Sequence, residues 1–379
     1  MFEAEDQVME ILRERNIDIT TTLPCDRAKN LYSLLDSDEG VRNIIFNKEE
    51  DCVGTSAGVY LAGGRPAIII QSSGLGNSLN AILSLSSTYK LPLPIIASWR
   101  GIYNEKIQAQ IPFNEKIPKA LEAWGIPYKI IEDSDNLDLL IEVIDGAYEN
   151  KSPFVALISP KTWESCENNA INNEFPSREI ISSLKYEKKV KDGEMTRYGA
   201  IEVIAHHLDK EAVVSNIGIP SKELYNIRDR ELNFYMIGSY SQASPIGFGI
   251  ALKTKKEVVV IDGDGSISAT CVLPTIAKEK PKNLTIICLD NGAFGSTGNQ
   301  RTYAYSDMDI ELMAIGAGMK NTCKVHSKED LDSTMANLYD EERDGSRFIH
   351  VVIKPGNSDV GGIPLSPVAI KNRFMDALA

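Results

Sequence analysis

At 379 residues the chain is long enough for two domains of ordinary size, and its 43% hydrophobic and 25% charged residues are typical of a globular protein. A net charge of −13, from 40 basic against 53 acidic residues, argues against nucleic acid or an anionic membrane as partner, so any anionic ligand has to be held by a local site. No apolar run approaches the roughly 20 residues that span a bilayer, and the acidic, amphipathic opening MFEAEDQVMEILRERN is unlike a targeting peptide, so a cytoplasmic protein is expected.

Taken in order, the pattern predicts a helix near Asp6–Arg15, strands near Asp18–Thr22 and Arg42–Phe46, and a helix from Glu49 to Ala62. A strand at Ala67–Gln71 leads into a Gly-rich turn and a helix from Asn77 to Tyr89. Strands near Pro94–Ser98, Tyr128–Ile131 and Phe154–Ile158 complete the first half. The stretch from about Ser159 to Gly193 is polar and aperiodic, which suggests domains at 1–165 and 193–379 with a linker over 166–192. The second half predicts a helix through Leu208, strands at Ala212–Ser215 and Phe234–Met236, and a helix through Leu252. A strand at Val258–Ile261, a helix from Ser266 to Lys278, and strands at Leu284–Leu289 and Phe348–Ile353 follow. The expected fold class is α/β, with two doubly wound, mainly parallel-sheet domains. The halves echo each other, since AIIIQSSGLGNSLNAIL and EVVVIDGDGSISATCVL both read strand, Gly-rich turn, helix.

The six cysteines, at 25, 52, 166, 271, 288 and 323, show neither a CxxC pair nor metal-ligand spacing, and reduced, mostly buried thiols are expected. His206 and His207 lie in the helical pattern AIEVIAHHLDK, where packing or a surface position outweighs metal ligation. The chemistry concentrates in GDGS at 263–266 and DN at 290–291. Gly263 and Gly265 permit a tight turn and a close approach of ligand to backbone, Asp264 stands at the strand mouth, and Ser266 opens a helix. One strand–helix–strand crossover separates Asp264 from Asn291, so both side chains can reach one point. A carboxylate and an amide oxygen are hard donors suited to Mg²⁺, which keeps open positions for phosphate oxygens.

GDGS followed by a crossover and DN resembles the diphosphate–metal motif of thiamine diphosphate-dependent enzymes. The resemblance implies thiamine diphosphate and Mg as cofactors, with Asp264, Asn291 and the backbone carbonyl of Ala293 as metal ligands. The segment NKEEDCVGTSAGVYLAGGRPAIII resembles the pyrimidine-domain signature of the same family. It implies that Glu49, with Glu50 as alternative, activates the cofactor's aminopyrimidine ring. The domains would thus be of pyrimidine-binding and diphosphate-binding type. IGSYSQASPIGFGIAL matches a segment that commonly reads Gly-Ser-Met-Gly, so Gly238, Ser239 and Tyr240 are expected at the cofactor; Tyr240 and Ser241 depart from the pattern, and the tyrosine hydroxyl needs a partner.

Within the family, the two-domain layout resembles the branch that decarboxylates phosphonopyruvate or 3-sulfopyruvate. DNGAFGSTGNQ and the tail IPLSPVAIKNRFMDAL resemble the sulfopyruvate side, which serves coenzyme M synthesis in methanogenic archaea, often as separate α and β subunits. A 2-oxo acid with a second anion needs cations. Arg100, in SWRG past a strand end, is the first candidate, with Arg301 second and with Asn77 and Ser73 as further contacts to substrate or cofactor. The resemblance also implies a homo-oligomer with active sites at chain interfaces. A dinucleotide-binding dehydrogenase is disfavoured because SGLGNSLNA lacks the third glycine of that fingerprint. An iron–sulfur oxidoreductase lacks its cysteine spacing. A catalytically silent cofactor-binding protein stays open as the alternative from another class.

Overall fold

The computed structural model describes residues 3–163, 177–180, 189–339 and 343–379. The first half forms a parallel sheet from β1 (Ile19–Thr22), β2 (Arg42–Ile45), β3 (Pro66–Gln71), β4 (Leu93–Ser98), β5 (Tyr128–Ile131) and β6 (Pro153–Ile158), in the order β2-β1-β3-β4-β6-β5. The second half contributes β7 (Ala212–Ser215), β8 (Asn233–Tyr235), β9 (Val258–Gly263), β10 (Leu284–Asp290), a small hairpin of β11 (Ala293–Phe294) and β12 (Gln300–Arg301), β13 (Asn321–Val325) and β14 (Arg347–Val352). Its main sheet, also parallel, runs β13-β14-β10-β9-β7-β8. With the hairpin set aside, the two sheets have the same strand order, so the echo in the sequence is an echo of topology. The central strands are buried on both faces, as their unbroken β-branched and aliphatic runs require: Val258–Ile261 and Ile68–Ile70 are almost wholly inaccessible.

In each sheet the chain leaves its first strand to one side and returns on the other. A crevice therefore opens at the carboxyl ends of β1 and β3 in one half and of β7 and β9 in the other. Several elements differ from expectation, among them helices at Lys29–Ser37, Ile117–Trp124, Leu139–Asn150 and Pro367–Leu378 that the pattern does not announce. The helix expected from Asn77 begins at Gly74 and contains a π-helical turn over Ile82–Ser87. The helix expected over 266–278 is two, Asp264–Ala269 and Val272–Glu279. It breaks where the Asp51 carboxylate takes the Cys271 N–H (2.9 Å) out of helical pairing and also accepts the Thr270 hydroxyl (3.0 Å). Strand β13 was not foreseen, because an edge strand reading NTCKV carries no apolar run. Of the linker expected over 166–192, residues 166–176 and 181–188 lie outside the described residues, as does Cys166; residues 177–180 and 189–192 have no regular structure.

The halves meet along the Glu49–Leu61 and Ala243–Lys253 helices, which run parallel with their N-termini at one end. A Cβ on Gly54 would strike Gln242 and Pro245, one on Gly58 would lie 2.0 Å from the Ile246 carbonyl, and one on Gly249 would lie 2.0 Å from the Thr55 carbonyl. Backbone meets backbone here, so the low side-chain content of CVGTSAG is a packing requirement. A continuous apolar cluster spans both halves through this contact. Among the described residues, no helix is long and apolar enough to cross a membrane.

Candidate active site

In the second half, the crevice between β7, β9 and β10 brings together Asp264, Asn291, Ala293, Gly263, Gly265, Ser266 and Tyr240. Val258–Ile261 forms the buried strand, Gly263 caps the next helix, and Asp264 is that helix's first residue. The other expected ligand, Asn291, follows directly on β10. Asp264 is buried beside Asp290; desolvation first, and the neighbouring carboxylate second, push its pKa up to about 7. Its Oδ2 accepts a short hydrogen bond from Thr302. Asn291 Oδ1 accepts the Ala293 N–H at 3.2 Å, while its Nδ2 is buried without a partner among the described residues. Two crowded acids and an unsatisfied amide donor are what a hard cation carrying anionic oxygens would relieve. No group of three His, Cys, Asp or Glu side chains that could hold a metal ion occurs among the described residues.

The segment Gly238–Ser241 forms the edge of this crevice. The Tyr240 hydroxyl donates to the Gly265 carbonyl at 2.6 Å, which supplies the partner that the sequence left open. Ser239 and Ser241 both take left-handed backbone, with φ of 66° and 67°, a strain of about 1 kcal/mol each. The first half holds them there. Ser84, inside the π-helical turn, meets Ser239 Oγ at 2.7 Å, and its carbonyl would lie 2.9 Å from a Cβ on Gly238. Buried Tyr89 accepts the Ile237 N–H and donates to the Tyr235 carbonyl, at 2.8 and 2.9 Å.

In the first half, Glu49 opens its helix and lies against the Gly-rich turn, where Asn77 Nδ2 donates to Glu49 Oε2 at 3.1 Å. Glu50 is instead paired with Lys48 at 2.7 Å. Among the described residues, none from the first half lines the second-half crevice. The Lys48 ammonium donates to the Ala269 carbonyl, which ties the start of the Glu49 helix to the end of the helix that Asp264 begins. The Ser73 hydroxyl donates to Gln110 Oε1 (2.7 Å) and accepts from Gln71 and Asn114. Arg100 is not a free cation: Glu105 takes its Nε and Nη2 at 2.7 and 3.0 Å, and Asp26 takes Nη1 at 2.6 Å. This pairing holds the Glu105 carboxyl down at about 2. Arg301 lies on the exposed hairpin with its guanidinium over the Tyr305 ring.

Sequence reasoning missed Arg197 and Asn216, both lining the second-half crevice. Asn216 carries the same signal as Asn291, a polar residue just past a buried strand. Arg197 carries none, because its partners Glu223 (2.8 Å) and Asn357 (2.8 Å) are remote in the chain. Nor did the sequence reveal that Asp290, already singled out in the DN pair, is partnered by His350. Asp290 Oδ1 accepts the Gly292 N–H at 2.9 Å, and its Oδ2 lies 2.8 Å from His350 Nε2, so a buried imidazole braces the loop bearing Asn291. Burial pulls the His350 pKa down, and the Asp290 and Asp309 carboxylates more than reverse this.

Twin parallel-sheet domains, with an acid-and-amide crevice at a strand switch point, are the layout of an α/β protein that binds its ligand at the carboxyl ends of its strands. Residues 2–117 match the thiamine pyrophosphate enzyme N-terminal TPP binding domain and residues 220–351 the C-terminal TPP binding domain; the chain belongs to the thiamine pyrophosphate enzyme family. Within it, the chain is 47% identical to the sulfopyruvate decarboxylase of Methanosarcina acetivorans over 99% of this chain and 97% of that protein. Identity to the phosphonopyruvate decarboxylase of Streptomyces viridochromogenes is 31%, over 93% of this chain and 89% of that one. The β and α subunits of the Methanocaldococcus jannaschii sulfopyruvate decarboxylase align with 45% and 40% of the chain, at 44% and 39% identity, and 89% and 91% of their own lengths are covered. A benzoylformate decarboxylase structure from Polynucleobacter necessarius superposes with a TM-score of 0.72 over 96% of this chain and 100% of that one, and at 12% identity shares the fold.

Proposed function

We propose that the chain decarboxylates 3-sulfopyruvate to sulfoacetaldehyde and carbon dioxide, using thiamine diphosphate and Mg²⁺, as a step in coenzyme M biosynthesis. The observation that carries this reading is the 47% identity, over nearly the full length of both chains, to a sulfopyruvate decarboxylase, against 31% to a phosphonopyruvate decarboxylase. When bound, thiamine diphosphate supplies the nucleophile that adds to the 2-oxo carbon and the cationic ring that takes up the electrons of the breaking C–C bond.

The chain's own residues have three tasks. Asp264, Asn291 and the Ala293 carbonyl are assigned to the metal, and Gly263, Gly265, Ser266, Gly238 and Ser239 to the diphosphate end, with Tyr240 filling the elbow beside Gly265. Glu49 is assigned to the aminopyrimidine ring, where it would hold and return a proton; the engagement of Glu50 by Lys48 supports this choice. Arg100 is assigned to the substrate's anion through Nη1. The Asp26 side chain on that nitrogen is 67% exposed and exchangeable, while buried Glu105 keeps the fork oriented.

We also propose a homo-oligomer with active sites at chain interfaces. Tyr240, Phe294, Tyr303 and Tyr305 in the second half and Ile107 and Phe113 in the first are exposed near the cofactor residues and would be covered by another copy. The free thiols among the described cysteines suit a cytoplasmic setting.

The test is carbon dioxide release from sulfopyruvate, phosphonopyruvate and pyruvate, with and without cofactor and Mg²⁺. Sulfopyruvate should be preferred, and a clear preference for either rival overturns the assignment. Glu49→Gln should lower turnover about a thousandfold with cofactor still bound. A fully active monomer in sedimentation would rule out the shared site.

A further inference from the structure

We propose that Asn77 is a positioning residue for Glu49, and that the glycine-rich turn of the first half is shaped to seat a carboxyl group instead of a substrate or phosphate anion. This rests on the reading of Glu49 as the cofactor-activating acid. The Asn77 side chain, expected from sequence as a contact to substrate or cofactor, spends an amide hydrogen on Glu49 Oε2 at 3.1 Å. Gly74 provides the space: a Cβ there would lie 2.6 Å from Glu49 Cγ and 2.8 Å from Oε1. Gly76 is filled from the other side, since a Cβ on it would lie 2.7 Å from the Phe113 ring. The hydroxyls that could have turned toward an anion are committed inward, Ser72 to Asn114 Oδ1 (2.5 Å) and Ser73 to Gln110 Oε1 (2.7 Å).

The choice of an amide has a chemical reason. A carboxyl that gives and takes a proton at Oε1 needs a partner at Oε2 that tolerates both states. Asparagine can donate to a carboxylate oxygen and also, less strongly, to the carbonyl oxygen of the protonated acid. A lysine would pin the charged form, and an aspartate would repel it. Asn77 therefore fixes the rotamer of Glu49 while favouring its charged form less than a lysine would, leaving Oε1 to meet the cofactor ring. With one oxygen anchored, the reactive geometry is prepared before cofactor and substrate arrive.

The experiment uses full-length protein carrying Asn77→Ala or Glu49→Gln, loaded with thiamine diphosphate and Mg²⁺. Three quantities are read: cofactor affinity, the substrate-free rate of hydrogen–deuterium exchange at the cofactor's reactive ring carbon by quenched NMR, and kcat and KM for sulfopyruvate. Asn77→Ala should slow the exchange about tenfold and lower kcat in step, with KM and cofactor affinity within about twofold of the parent. Asn77→Ser, a shorter donor, should recover part of the exchange rate. A raised KM with unchanged exchange would return Asn77 to the substrate and overturn the proposal. Slow exchange in Glu49→Gln but parental exchange in Asn77→Ala would overturn it while sparing Glu49. Parental exchange in Glu49→Gln would remove Glu49 itself.

Discussion

Sequence places Asp264 and Asn291 side by side because each follows an apolar run that has to be a buried strand, so their position at the carboxyl ends of adjacent central strands is fixed by local pattern. The companion groups are built differently. His350 lies mid-strand on β14, sixty positions from Asp290, and nothing local to it announces an ion pair. His350→Leu should leave the Asp290 carboxylate buried and uncompensated, at a cost of about 3–5 kcal/mol in urea unfolding of the cofactor-free protein. The pH dependence has a definite sign. The folded pKa of His350 is raised above its ordinary value. The stabilisation is therefore fully present below about pH 6.5 and is lost as pH climbs through the raised value. A parent–variant difference that grew with alkalinity would count against the pairing. Tyr240 teaches the complementary lesson: sequence showed that its hydroxyl needed a partner, and only the fold supplied the Gly265 carbonyl.

At the level of elements, periodicity located most central strands to within a residue or two. It failed where another element imposed the result. The break at Thr270–Cys271 is set by Asp51, more than two hundred positions upstream, and β13 is an edge strand with polar alternation. The Glu49–Leu61 helix shows the strongest such constraint. Gly58→Ala or Gly249→Ala would drive a methyl into a carbonyl oxygen of the facing helix and should destabilise the protein by about 3 kcal/mol or more. Gly316→Ala, at a helix end with no atom near its added Cβ, should be neutral or gain about 0.5–1 kcal/mol. Chemical denaturation of the three variants checks the contrast. Equal effects would mean that the helices do not touch as closely as described.

For the molecule as a whole, two sheets of identical order are joined by a long polar connection. The repeated strand–turn–helix pattern made that duplication legible, since each half had to bury its own strands. How the halves dock was not legible, because glycines scattered through two helices specify contact only once the helices are paired. Asp51, Lys48, Ser84 and Tyr89 all reach from the first half into the second, and each grips backbone or a side chain there.

That glycine-lined seam also bears on the chain's connectivity. Two surfaces that mate with no room for sliding carry their own alignment information, so the tether between them is dispensable for recognition. Fragments ending at 163 and starting at 189, expressed apart and mixed, should co-elute as one species; fragments that stayed separate would mean that the tether itself brings them into register.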